Sequence, residues 1–143
     1  MSYSVAIDGP AGAGKSTIAK MLSKEMGYIY VDTGAMYRAM AVYFSQNGID
    51  PDNEEMINEA VKNVDIVIEY KDGAQQVILN GVNVTSLLRT EETGKMASKT
   101  SKYAAVRSKL VELQRNLAKS TDVLMDGRDI GTTVLPDAFV KIY

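Results

Sequence analysis

Gly9-Pro10-Ala11-Gly12-Ala13-Gly14-Lys15-Ser16 reads G-x-x-x-x-G-K-[ST], the pattern of a phosphate-binding loop. It follows the apolar run Val5-Ala6-Ile7 and opens the helical pattern Thr17-Ile18-Ala19-Lys20-Met21-Leu22. A strand, a glycine loop and a helix start are the context that makes the pattern a site. Glycines let backbone N–H groups converge on phosphate oxygens where a side chain would intrude. The helix N-terminus adds about half a positive charge. Lys15 reaches toward β- and γ-phosphates, and the Ser16 hydroxyl suits Mg²⁺. Gly9, Pro10, Ala11, Gly12, Ala13, Gly14, Lys15, Ser16 and Thr17 are the expected contacts of a bound nucleoside triphosphate, with Ser16 as the metal ligand. A dinucleotide-binding loop does not fit, because Lys15-Ser16-Thr17 stands where x-x-Gly is required.

Outward from the loop, the chain alternates strand and helix. A strand is predicted over 3–8 and a helix over 15–26, with Gly27 at its C-terminal cap. Tyr28-Ile29-Tyr30-Val31-Asp32 reads as a buried parallel strand. A helix over 34–46 follows, stopped by Asn47-Gly48, and Asp50-Pro51 is expected to cap a further helix to Val61. The middle changes character. Ile66 to Tyr70 and Gln76 to Leu79 flank a turn at Lys71-Asp72-Gly73, and Asn80-Gly81 predicts a tight hairpin into Val82-Asn83-Val84. Tyr103, Val106, Leu110, Leu113 and Leu117 share one face of a helix over 103–119. Strands at 123–126 and from 140 complete the pattern. The fold class is α/β: a three-layer, P-loop-type parallel sheet with a small antiparallel β insert. We expect one domain over 1–143, with the insert inside an acceptor-binding region at roughly 33–119.

The chain ends in a strand, whereas strands of doubly wound folds are followed by a returning helix. This predicts a C-terminally truncated chain. The 143 residues suit one domain. Net charge is −2, which disfavours nucleic acid as a partner. There is no cysteine and no histidine, which excludes disulfides, thiolate chemistry and the usual general base. The first residues carry no secretory leader and no segment has the length of a membrane span, so a cytoplasmic location is expected. Nothing in the pattern points to oligomerisation, so a monomer is expected.

The loop alone implies a nucleoside triphosphate; the acceptor is read elsewhere. Asp32-Thr33-Gly34-Ala35-Met36-Tyr37-Arg38 lies at the end of the second strand, and Asp126-Gly127-Arg128-Asp129 just past a later one. Ligands of open α/β sheets gather at such strand ends. Arg38 and Arg128, two of only five arginines, suit a clamp on phosphate. Taken singly, Arg38 also reads as a solvated helix arginine and 126–129 as a charged loop.

Those two segments and the sequence Ile7-Asp8-Gly9-Pro10-Ala11-Gly12-Ala13-Gly14-Lys15-Ser16 resemble, in order and spacing, the bacterial cytidylate kinases, a family of nucleoside monophosphate kinases. The third segment extends to Ile130-Gly131-Thr132, and the β insert resembles that family's enlarged acceptor region. The resemblance implies transfer of phosphate from ATP, with Mg²⁺, to CMP and dCMP, in pyrimidine nucleotide metabolism. It implies that Lys15, Arg38 and Arg128 carry the catalysis, the two arginines holding the acceptor phosphate. It implies that Ser98, Arg107 and Asp129 read the base, with Thr33 and Tyr37 lining the site. The chemistry is consistent: the N4 amino group of cytosine donates to Asp129 and Ser98, and its N3 and O2 accept from Arg107. Read singly, Ser98 is also a helix-end serine, Arg107 a residue snorkelling beside an apolar stripe, and Tyr37 core packing.

The family carries a mobile lid with further arginines after the strand that ends this chain. If the 143 residues act alone, weak or absent turnover is expected. The alternatives are a nucleotide-binding module without catalysis and another P-loop small-molecule kinase.

Overall fold

A computed structural model describes residues 4–8, 21, 23–25, 27, 29–71, 74–120, 123–127 and 140–142. The described strands are β1 (Ser4–Asp8), β2 (Ile29–Asp32), β3 (Ile66–Lys71), β4 (Ala74–Leu79), β5 (Val82–Asn83), β6 (Val123–Gly127) and β7 (Val140–Ile142). The α-helices are α1 (Thr33–Gln46), α2 (Glu54–Ala60), α3 (Glu91–Thr100) and α4 (Ala104–Ser120). The chain divides into two compact units, 1–33 with 114–143, and 34–113.

The first unit holds a four-stranded parallel sheet in the order β2-β6-β1-β7. Neighbours in this sheet are far apart in sequence, so each pairing requires a crossover, as parallel strands do. Val5, Ala6 and Ile7 are all buried, as are Val123, Leu124 and Met125. Burial of consecutive residues means both faces of the sheet are covered. Val5, Ile7, Tyr30 and Leu124 form one apolar cluster. The expected helix over 15–26 falls mostly outside the described residues; 21 and 23–25 are helical. Gly27, at φ +71°, holds the left-handed conformation expected of its cap.

The second unit carries the antiparallel sheet β3-β4-β5, with Ile66 opposite Leu79 and Ile68 opposite Val77. These four residues are buried while Val67 and Glu69 face outward, the alternation of a sheet covered on one side. Asn80 makes the hairpin possible. It holds φ +48°, and its Oδ1 accepts from the Asp65 amide at 2.7 Å while its Nδ2 donates to the Asn63 carbonyl at 3.1 Å. Helix α1 buries Met36, Met40 and Phe44 along one line, the i, i+4 spacing of a core-facing stripe.

Two local expectations are corrected. Asp50-Pro51 does not cap α2. Asp50 instead forms a turn, accepting from the Asp52 amide at 2.9 Å through Oδ1. The cap is Asn53, whose side chain accepts from the Met56 amide, and the α-helix gives way to a 3₁₀ turn at Val61–Asn63. The sequence reading also assigned no helix to α3. Its fully buried positions are Thr93 and Thr100, so the segment lacks the apolar periodicity by which helices are recognised.

Candidate functional site

Within the unit 34–113, an open pocket of about 540 Å³ is lined by Arg38, Arg89, Thr90, Glu91, Gly94, Lys95, Ser98 and Lys99. Two segments build it. Helix α1 contributes Arg38, and α3 with its entry turn contributes the rest.

The entry turn is fixed before α3 begins. Thr90 caps the helix, its hydroxyl oxygen accepting from the Thr93 amide at 3.2 Å. Thr93 Oγ1 donates to the Leu87 carbonyl at 2.9 Å. Arg38 Nη1 donates to the neighbouring Leu88 carbonyl at 3.0 Å. Two successive carbonyls are thereby held, and Arg89 follows directly. A guanidinium carries five donors in a rigid fork, so this bond orients Arg38 and leaves donors for a ligand.

Along α3, positions 91, 95 and 98 and positions 94 and 98 are three or four residues apart, which places them on adjoining rows of one face. Gly94 lies on that face, and a Cβ built there meets no heavy atom within 4 Å. Lys95 Nζ lies 3.3 Å from Glu91 Oε1. The remaining cations are Arg38, Arg89 and Lys99, so the pocket suits an anion. Four of the nine Lys and Arg residues in 34–113 line it, against one of the eleven Asp and Glu. Positive charge is concentrated here in a unit that is acidic as a whole.

The expected site residues divide as follows. Arg38 and Ser98 line the same pocket. Tyr37 is half-buried in α1, and Thr33 is buried at its first turn. Arg107 is exposed on α4 and is not among the residues lining the pocket. Gly9, Pro10, Ala11, Gly12, Ala13, Gly14, Lys15, Ser16, Thr17, Arg128 and Asp129 lie outside the described residues. Arg89, Lys95 and Lys99 were not read from the sequence as site residues. The 91-95-98-99 spacing would have shown Lys95 and Lys99 beside Ser98 once α3 was recognised as a helix.

In the first unit, the register sets Asp32 opposite Asp126 and Asp8 opposite Gly127. Three aspartates thus sit at the carboxyl ends of adjacent parallel strands, and Gly9 follows one of them, Asp8, in sequence. No helix among the described residues is long and apolar enough to cross a membrane.

The cytidylate kinase family model matches residues 5–143. The chain is 51% identical over 139 residues to a cytidylate kinase of Caldicellulosiruptor bescii, covering 97% of this chain and 62% of that protein. It is 49% identical over 140 residues to a cytidylate kinase of Bacillus cereus strain B4264, covering 98% and 62%. It is 51% identical over 139 residues to one of Lactobacillus gasseri, covering 97% and 60%. The chain therefore spans about three-fifths of the length of these relatives. With the glycine loop, the parallel sheet and the basic pocket, this match shows that the chain belongs to the cytidylate kinase family.

Proposed function

We propose that the protein transfers the γ-phosphoryl group of ATP to CMP or dCMP, and that the unit 34–113 binds the acceptor. The observation that carries this reading is the pocket shared by Arg38 and Ser98, two residues 60 positions apart in sequence. One is suited to a phosphate, the other to a base edge. Arg89, beside the carbonyl that anchors Arg38, joins it as a second guanidinium for the acceptor phosphate.

The reaction needs little from side chains beyond charge and position. A phosphate monoester has its second pKa near 6, so the attacking oxygen is already ionised near neutral pH and no histidine is required. Arg38, Arg89 and Arg128 orient that oxygen. Lys15 neutralises charge on the transferring group. Asp129, Ser98 and Arg107 select the base. The carboxylate of Asp129 repels the O4 acceptor that uracil carries in place of the cytosine amino group.

A hydroxyl oxygen such as that of Ser16 suits Mg²⁺, a hard cation that takes oxygen ligands. Ser16 would hold the ion. Bound there, Mg²⁺ would supply neutralisation of the triphosphate. We read the protein as a cytoplasmic monomer acting on small molecules.

Calorimetric titration with CMP, dCMP, UMP and AMP, followed by a coupled ADP-release assay with each, tests the reading. Selective binding of the cytosine nucleotides is expected, with their phosphorylation weak where the 143 residues act alone. Equal binding of all four, or preference for AMP, overturns it in favour of another P-loop kinase. Selective binding without turnover leaves a nucleotide-binding module.

A further inference from the structure

The pocket carries more positive charge than its two arginines account for. Lys95 and Lys99 stand one helical turn apart on α3, and both line the pocket. Lys95 faces Glu91 at 3.3 Å, but the two side chains are 73% and 84% exposed. An ion pair so open to solvent is loosely held and leaves the local field positive. Lys99 and Arg89 make no ion pair among the described residues. Neither lysine is needed to build the helix, since the cap is made by Thr90 and the buried face by Thr93 and Thr100.

We propose that Lys95 and Lys99 form an electrostatic guide that draws the anionic nucleotide to the acceptor pocket, with Glu91 as its built-in attenuator. The proposal rests on the acceptor reading above. A cleft lined by one sign of charge raises the local concentration of an oppositely charged ligand, and salt removes the effect. This matters more in a protein whose net charge is −2, because a nucleotide dianion is otherwise repelled on approach. Ser98 lines the same pocket as the two lysines, so the guide acts on a ligand bound there.

The test is calorimetric binding of CMP, and of uncharged cytidine, to the full chain between about 20 and about 500 mM salt, where screening lengths fall from tens of ångströms to a few. For the Lys95→Gln/Lys99→Gln variant, CMP affinity is expected to fall about fivefold at low salt and to converge on wild type at high salt. Cytidine affinity is expected to stay unchanged. Glu91→Gln is expected to act in the opposite direction, raising CMP affinity about twofold at low salt. Lys95→Arg/Lys99→Arg is expected to behave as wild type. Unchanged CMP affinity in the Gln variant, or an equal loss for CMP and cytidine at every salt concentration, overturns the proposal. If wild type does not bind CMP, the acceptor reading fails, and inorganic pyrophosphate becomes the probe. Lysine-dependent pyrophosphate binding then sustains the guide, and its absence overturns that as well.

Discussion

Arg38 Nη1 donates to the main-chain carbonyl of Leu88 at 3.0 Å, joining residues 50 apart in sequence. The bond sets one guanidinium against the backbone just before a second, that of Arg89. Replacing Arg38 by lysine keeps the charge and loses the fork, because one ammonium cannot hold the carbonyl and a phosphate in the same planar geometry. Arg38→Lys is expected to weaken CMP binding about tenfold or more, since a charge-assisted bond contributes about 1.5–3 kcal/mol. Stability should fall by no more than about 1 kcal/mol for the lost carbonyl contact. Titration calorimetry beside a thermal melt separates the two. A large loss of stability with intact affinity would show Arg38 to be structural.

The α/β class was legible because it rests on a local signal, the apolar runs of the buried strands. Asn80-Gly81 announced its hairpin in the same way. The helix α3 was not legible. Its hydroxyl-bearing Thr93 and Thr100 occupy the buried face, and the Thr93 hydroxyl donates to the Leu87 carbonyl. A periodicity of apolar residues does not see that arrangement. Missing the helix hid Arg89, Lys95 and Lys99, whose common feature is their place on and before it. Asp50-Pro51 misled for a related reason. Both Asp and Asn cap helices, and the choice of Asn53 over Asp50 was settled by the turn that Asp50 closes on the Asp52 amide.

Asn80 carries a test of the insert. Its side chain spans the Asp65 amide and the Asn63 carbonyl, and its backbone is left-handed at φ +48°. Asn80→Ala removes both bonds and places a residue that disfavours this conformation. A loss of about 2–3 kcal/mol is expected in denaturant titration. Asn80→Gly relieves the backbone while still lacking the bonds, so it should recover about 1 kcal/mol. Equal losses in both variants would assign the whole effect to the side chain.

Gly94 runs the other way. It is a helix-interior glycine with negative φ and open space around a built Cβ. Alanine there restricts the unfolded chain and favours the helix. Gly94→Ala is expected to stabilise the protein by about 0.5–1 kcal/mol, seen as a higher melting temperature. A lower melting temperature would contradict the open space found at this position.

The hydroxyl of Tyr103 donates to the Pro51 carbonyl at 2.8 Å, tying the start of α4 to the connection between α1 and α2. Tyr103→Phe leaves the ring in place and strands that carbonyl. A loss of about 1 kcal/mol is expected, with the CMP affinity of the pocket unchanged because neither residue lines it. A change of affinity without a change of stability would show that this tie acts on the pocket and not on the fold.

The last prediction concerns pH. The chain has no histidine and no cysteine, so it lacks the side chains whose ordinary titration falls nearest neutrality. In the proposed reaction the acceptor phosphate titrates there, with its second pKa at about 6. In that reaction, protonation would convert the attacking oxygen into a poor nucleophile and remove one of the two charges that the proposed arginine clamp holds. The kcat/KM for CMP is therefore expected to fall as pH drops through about 6, approaching tenfold per unit, and to be flat from about pH 7 to about 8.5. Stability, followed by melting over the same range, should not share that inflection, because the titrating group belongs to the substrate. A rate limb between pH 7 and 8, or a matching inflection in stability without nucleotide, would place the proton on the protein and require a side-chain base.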